Sequence, residues 1–329
     1  RIIMSNITID EMAAFCKRRG FVYSNSEIYG GIAGFWDYGP LGVEIKNNIK
    51  QLWWKSFVQD RNDVVGIDGT IITHPKVWEA SGHASSFTDL FVSCKKCNER
   101  YRADIVAEES LHALAHGLTS EKIAKLIKDN NIKCKKCGGE LGEVKRFNLM
   151  FKTSVGPADS NVSYMRPETA QEMFTNFRLV SENARLKLPF GIAQIGKAFR
   201  NEIAPRDFLF RTREFEQMEI EFFVHPKKLD DCPCFKEVEN IKINILSSGM
   251  QKHKNMTVKQ AFEKKIFKTK WHAYWLALMY KWFLDLGING DNLRLREHAK
   301  DELAHYANSC FDIEYNFPFG WKEIHGNAD

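Results

Sequence analysis

The 329-residue sequence is 44% apolar and 27% charged with a net charge of +5, which is enough to build a core and too little to make a uniformly basic nucleic-acid-binding body. Any contact with a polyanion must therefore be local. No apolar run reaches the ~18 to 20 residues of a membrane span, and the opening "RIIMSNITIDEM" lacks the basic-then-apolar pattern of a secretory signal, so a cytoplasmic chain without membrane contact is expected.

The first predicted element is a short helix. "TIDEMAAFCKRRG" opens on a capping box, Thr8 with Glu11, carries Met12, Phe15 and Cys16 at helical spacing, and stops at Gly20. A loop dense in glycine and aromatic residues, "YGGIAGFWDYGPLG", then feeds a long helix lined by Val43, Ile45, Ile49, Leu52, Trp53 and Phe57. "DVVGIDGTIITHP" alternates as a strand and is expected to end at Pro75, which has no N–H to pair. Further on, "WHAYWLALMYKWFLDLG" (271–287) carries His272, Lys281 and Asp285 and reads as a buried amphipathic helix.

Two stretches interrupt this order and look inserted. Residues 91–147 contain Cys94-x-x-Cys97 and Cys134-x-x-Cys137 around a helix-forming segment. With no signal peptide, paired Cys-x-x-Cys motifs argue for metal over disulfides, and four thiolates prefer zinc to hard cations. Free buried thiols and a redox pair are the alternatives. Cys16, Cys232, Cys234 and Cys310 lack ligand spacing and read as packing thiols, and His112 and His116, one helical turn apart without a metalloprotease glutamate, read as solvated. Residues 227–270 hold eleven lysines against five acids. The remaining segments, 1–90, 148–226 and 271–329, read as one interrupted core.

"GIAQIGKAFRNE" (191–202) has the Gly-x-x-x-x-Gly-Lys spacing of a phosphate-binding loop, but Ala198 stands where that loop needs Ser or Thr, and "AFRNEIAP" alternates as a strand where a helix is required. The better reading pairs "FRNEI" with "REFEQMEIEFF" as an antiparallel hairpin. It places Phe215, Gln217, Glu219 and Glu221 on one face of the second arm, with Arg200 and Glu202 together on the first. Arginine for phosphate, a ring for base stacking and a carboxylate for an exocyclic amine suit a nucleotide; an ordinary solvated salt-bridge face is the other reading.

These residues also carry a resemblance. Phe199-Arg200-Asn201-Glu202, a loop, then Arg211, Phe215 and Glu219 resemble motif 2 of class II aminoacyl-tRNA synthetases, and the long helix with the strand ending at Pro75 resembles motif 1. "WDYGPLGVEIKNNI", "ASGH", "FNLMFKTSVGP", "YMRPETAQ", "QIGKAFRNEIAPR", "DELAHYANSCFD" and "GWKEIHGNAD" together are similar to the dimeric glycyl-tRNA synthetase family. The resemblance implies an α+β fold, a six- or seven-stranded antiparallel class II sheet flanked by helices and carrying the zinc-binding and Lys-rich insertions. It implies a ligase that activates glycine with ATP and Mg²⁺ to glycyl-adenylate and transfers it to the 3′ end of glycine tRNA, as a homodimer paired through motif 1.

By motif position, catalytic Arg200 would hold the α-phosphate, Glu202 would meet the adenine edge, Phe215 would stack on the base, and Arg211 or Arg213 would face the outer phosphates. Glu168 and Glu219 would hold the glycine ammonium, with Arg296 and Glu323 also assigned to glycine. From the residues alone Glu168 equally fits a helix start, where a carboxylate is favoured electrostatically, and His83 fits either a site or a loop hydrogen bond. A tight pocket rejects larger amino acids sterically, so no editing domain is expected. The Lys-rich stretch would touch the tRNA backbone. Motif 3 and an anticodon-binding domain are expected to lie beyond Asp329, in which case the 329-residue chain alone would be inactive. A catalytically silent synthetase-like nucleic-acid-binding module is the alternative.

Overall fold

The computed structural model describes residues 7–111, 115, 118–157, 162–205, 207–300, 302–303 and 307–329; the expectation for His112 and His116 lies outside them. The chain divides into two units, 10–223 and 224–329, and the described residues 7–9 go with the latter. Among the described residues no helix is long and apolar enough to cross a membrane.

The larger unit opens on α1 (Ile9–Arg18), which ends two residues before Gly20 at φ +74°, a left-handed turn that glycine adopts without strain. Strands β1 (Val22–Ser24) and β2 (Trp36–Tyr38) form a small hairpin whose second strand lies in the glycine-rich loop. Helix α2 (Pro40–Trp54) starts with Pro at its first position, where no intrahelical N–H is lost, and continues as a π-helical turn through Gln59. Its Gly42 is required by packing: a Cβ there would lie 1.9 Å from the carbonyl oxygen of Phe21.

The single strand expected before Pro75 is two. β3 (Val64–Gly66) pairs parallel with β10 (Phe190–Phe199), whereas β4 (Ile72–Thr73) pairs with β9 (Val162–Met165) in another sheet. Between them the main chain serves other partners: the Gly69 N–H donates to Gln194 Oε1, and the Gly69 and Thr70 carbonyls accept from Arg166. Pro75 opens helix α3 (Pro75–Ala80), capped by His74 Nδ1, which accepts from the Lys76 N–H. Helix α4 (His83–Ser86) follows.

Strands β5 (Thr88–Ser93), β6 (Arg100–Arg102) and β7 (Lys145–Asn148) form an antiparallel sheet in the order β6-β5-β7, and helices α5 (Ala103–Leu111) and α6 (Ser120–Asp129) bury Val106, Ala107, Ile123 and Ile127 with Val92 and Tyr101. Strands β8 (Phe151–Ser154), β9 and β4 make a further sheet, and α7 (Ala170–Thr175) and α8 (Phe177–Asn183) lead into β10 and β11 (Glu214–Phe223).

The hairpin is present but its first arm is placed differently. β10 comprises Phe190–Phe199 and pairs with β11 from Phe190↔Phe223 to Phe199↔Glu214, so Arg200 and Glu202 stand in the connection. The ladder ends there because the Asn201 N–H turns to the Leu149 carbonyl. Gly191 and Gly196 thus lie within a strand. The guanidinium of Arg166 lies against Gly196, where a Cβ would meet Nη2 at 2.1 Å, so this glycine makes room for an arginine and no phosphate-binding loop forms.

In the second unit, α9 (Phe235–Val238), β12 (Lys242–Leu246), β13 (Lys254–Thr257) and α10 (Val258–Glu263) precede α11 (Lys270–Asp285), which buries Trp271, His272, Tyr274, Trp275 and Tyr280 as expected. Strands β14 (Leu293–Glu297), β15 (Cys310–Phe317) and β16 (Gly320–Ala328) complete a five-stranded sheet ordered β13-β12-β14-β15-β16. Two strands of the Lys-rich stretch therefore share a sheet with residues 293–328. The α+β class stands, but the described residues form sheets of two, three and five strands, and the β3·β10 and β12·β14 pairs are parallel.

Gly42→Ala should lower the free energy of unfolding by about 1 to 3 kcal/mol, because the new methyl meets main chain that cannot yield as a side chain would. A urea titration with an unchanged midpoint would show that the helix start shifts without cost.

Candidate functional site

The site is built on β11, on the segment Arg166–Thr169 before α7, and on the β10–β11 connection. Arg166 is 2% exposed. It donates from Nε to the Lys197 carbonyl at 2.7 Å and from Nη1 to Gly69 O at 2.9 Å and Gln194 Oε1 at 3.3 Å. That fixes the next three residues. The Pro167 carbonyl accepts from Arg200 Nε at 3.1 Å, Glu168 Oε1 accepts from Gln171 Nε2 at 2.7 Å, and the Thr169 hydroxyl donates to Glu219. His83 lies with Nε2 3.4 Å from Glu168 Oε1 and Nδ1 2.9 Å from Ser81 Oγ, so it serves both readings considered for it.

Arg200 stands between two rings, its guanidinium carbon 5.6 Å from the Phe87 centroid and 5.3 Å from that of Phe215, with Nη2 3.9 Å from Glu168 Oε2. Glu202 is buried and accepts from Arg211 Nε at 2.9 Å, while Arg211 Nη2 lies 3.6 Å from Asp89. The Arg213 guanidinium is committed to main-chain carbonyls, those of Glu202 at 2.7 and 3.0 Å and of Ala33 at 2.8 Å. Arg213 thus holds the connection in shape, and Arg211 is the arginine paired only with carboxylates in the bonds described.

The carboxylates differ in ionisation. Burial pushes Glu168 up, but the bonds from His83 and Gln171 and the nearby Arg200 charge outweigh it and bring its pKa below the ordinary value. Burial raises Glu219, with the Glu168 charge adding and the Thr169 hydroxyl opposing. Glu221, two residues along the same strand face, is pushed up to about 8 by burial and by Glu219 and Glu168. Glu172 on α7 rises to about 7, chiefly through burial, and both its oxygens are buried without a hydrogen-bond partner. The sequence reading passed over Arg166, Thr169, Glu172, Gln194, Glu221 and Asp89. Glu221 was visible only as a member of the polar face.

Arg296 and Glu323 lie in the second unit. Arg296 meets Glu302 at 3.1 Å, Asp312 at 3.1 Å and Glu314 at 3.3 Å, and Arg294 shares Glu314 while its guanidinium lies 3.9 Å over the Trp321 ring. Glu323 sits on β16 opposite Glu314. His298, Cys310 and Asp312 cluster closely enough for a metal, yet Asp312 Oδ2 already receives His298 Nε2 at 2.7 Å and the Arg296 guanidinium, which fills the cation's place.

Cys94, Cys97, Cys134 and Cys137 converge with all four sulfurs within 4.8 Å of one another. Cys94 to Cys137 is 3.5 Å and Cys97 to Cys134 is 3.6 Å, near the ~3.8 Å edge of a tetrahedron with ~2.3 Å zinc–sulfur bonds. The N–H groups of Lys96 and Cys97 point at Cys94 Sγ, as thiolate ligands require. The donor set fits zinc. The other cysteines, apart from Cys310 in the cluster above, join no such group among the described residues.

The folded carboxyl of Glu172 holds a proton that the unfolded chain releases between its ordinary value near 4.5 and about 7. Its contribution to stability is thus present below the unfolded pKa and lost as pH rises through the folded one. Glu172→Gln, neutral at every pH, should exceed the wild type in stability by about 2 to 4 kcal/mol at pH 8 and match it near pH 4.5. Urea titrations at the two pH values check this, and a variant less stable at both would mean that the group is ionised and paired in the folded state.

The family model for the class II core domain of tRNA synthetases (G, H, P, S and T) matches residues 151–320, more than half of the chain. The sequence is 47% identical to a glycine–tRNA ligase of Geobacillus kaustophilus, over 98% of this chain and 63% of that protein. It is 46% identical to those of Geobacillus thermodenitrificans and Clostridium acetobutylicum, again over 98% of this chain and 62% and 63% of theirs. The chain thus spans less than two thirds of these relatives' length. A structure of the RNA binding domain of threonyl-tRNA synthetase from Cryptosporidium parvum overlaps 95% of this chain and 60% of its own at 14% identity and a TM-score of 0.49. With the hairpin, the buried arginine and the paired carboxylates in place and the core model matching across both units, the chain belongs to the class II tRNA synthetase core family.

Proposed function

We propose that this chain is the core of a glycine–tRNA ligase. The observation that carries the reading is the adjacency of Arg200, held between Phe87 and Phe215, to Glu168, with Glu219 bonded by Thr169 one residue further on: a phosphate-seeking guanidinium beside carboxylates suited to an ammonium. Glycine bound through its ammonium to Glu168 and Glu219 presents its carboxylate to the α-phosphorus of ATP. One carboxylate oxygen forms the new P–O bond and pyrophosphate leaves with the electrons of the bond that breaks. Arg200 stabilises the charge that develops on the α-phosphate, and no covalent enzyme nucleophile is needed. Phe215 offers a face to the adenine, Glu202 an acceptor to its edge, and Arg211 a charge to the outer phosphates, which ATP brings screened by Mg²⁺. Roles for Arg296 and Glu323 toward glycine rest on the motif resemblance.

The partner of the second step is glycine tRNA, and the lysine excess of 227–270 supports a contact with its phosphates. Ile45, Ile49 and Leu52 of α2 are 49, 36 and 47% exposed and share one face of the helix, an apolar stripe that supports pairing with a second copy of this chain. Structural zinc on Cys94, Cys97, Cys134 and Cys137 and a cytoplasmic site of action complete the reading.

ATP–pyrophosphate exchange, run with each amino acid in turn on the full-length protein, should proceed with glycine alone, and Arg200→Ala should reduce it by at least about a thousandfold with the melting temperature kept. Exchange with another amino acid would replace the substrate; none with any, together with salt-sensitive RNA binding, would favour the silent module. Cys94→Ser should remove one equivalent of zinc per chain and lower the melting temperature, whereas unchanged metal content would move zinc off these thiols.

A further inference from the structure

We propose that Asp89 is a positioning residue for Arg211, and that through it the cysteine module aims the arginine assigned above to the outer phosphates of ATP; the inference rests on that reading of the site. Strand β5 connects the two places. It starts immediately after Phe87, whose ring faces Arg200, and ends at Ser93, next to the first thiol, Cys94.

Asp89 lies on this strand with one carboxylate oxygen, the buried Oδ2, facing two guanidinium groups as ion pairs without a hydrogen bond, Arg102 Nη1 at 3.1 Å and Arg211 Nη2 at 3.6 Å. Arg102 is itself anchored. It sits on β6, opposite Phe91, and binds Asp104 through Nε at 3.1 Å and Nη2 at 2.5 Å, while Asp104 accepts the Ile105 N–H at 2.9 Å. On the far side Arg211 Nε donates to the buried Glu202. The result is a row of alternating charges, Asp104, Arg102, Asp89, Arg211 and Glu202, running from the sheet that carries the thiols to the β10–β11 connection.

Arg211 needs such a hold. It lies outside β10 and β11, and the connection that carries it passes through positive φ at Asp207 and Phe208. An arginine fixed by a single bond at Nε still swings its terminal nitrogens, and the Asp89 carboxylate, an ion pair at 3.6 Å with no hydrogen bond, draws the Nη2 side towards β5 by charge. Glu202 supplies the first contact and Asp89 the second. Because Arg102 already offsets the Asp89 charge, Arg211 is oriented without being locked into a strong isolated pair, and its transfer to a triphosphate remains favourable.

The test uses Asp89→Asn in the full-length, metal-loaded protein. Hydrogen–deuterium exchange over residues 203–212 should quicken with zinc content and melting temperature unchanged. In pyrophosphate exchange the KM for ATP should rise about tenfold while that for glycine stays, and Asp89→Glu should restore part of the loss. In Arg211→Ala, adding Asp89→Asn should cost nothing further, as expected of residues acting through one another. Unaltered deuterium uptake in 203–212, or additive effects in the double variant, would overturn the proposal. If the wild type turns over no ATP with any amino acid, the ligase reading fails, and the deuterium comparison still decides whether Asp89 holds Arg211.

Discussion

The site depends on one buried cation. Arg166 has almost no contact with solvent, and its guanidinium is satisfied by carbonyls of β10 and of the 67–71 loop and by the amide of Gln194. Burying an arginine without such partners would be prohibitive, so the three segments that supply them are committed to a single arrangement. The side chain needs Gly196 beneath it and breaks what would have been a continuous strand between Val64 and Thr73. In exchange, Pro167, Glu168 and Thr169 are delivered to Arg200 and Glu219 with their donors and acceptors already turned. A lysine could not reproduce this, since one ammonium cannot span a planar fork of acceptors.

Around that frame the carboxylates outnumber the cations. Glu168 is kept ionised by His83, Gln171 and Arg200, and its charge then makes each further ionisation at Glu219, Glu221 and Glu172 harder. A surface in this condition is completed by an incoming positive charge. On the proposed reading that charge is the ammonium of the amino acid, which offsets the burial that raises Glu219 and lets binding discriminate against neutral molecules of similar size.

Much of this was legible in the sequence. The hairpin, α1, α2, the buried α11 and the four-thiol cluster follow from periodicity, caps and Cys spacing, because each is governed by neighbours in the chain. The misplaced first arm shows the limit. "FRNEI" alternates as well as the true arm, and only the Asn201 N–H turning to Leu149, 52 residues back, ends the ladder at Phe199. Likewise Pro75 was rightly seen as a stop, but the strand before it had already been divided by Arg166, 95 residues and more downstream of the 67–71 loop. Glu172 and Glu221 looked like surface acids among many. Their burial is a property of packing, and no local pattern announces it.

The two thiol pairs are separated by 36 residues, those between Cys97 and Cys134, and α5 and α6 contribute an apolar core to the interval. The consequence is one of biosynthesis. An ion held by all four thiols could be fully ligated only after Cys137 has been made, and the apolar core between the pairs helps hold them together. Tyr101, whose hydroxyl reaches Cys134 Sγ at 3.2 Å, belongs to that core and brings the second pair into register with the first. Loop-closure entropy is then borne by protein packing, and on the proposed zinc reading the ion would close a cluster already brought together.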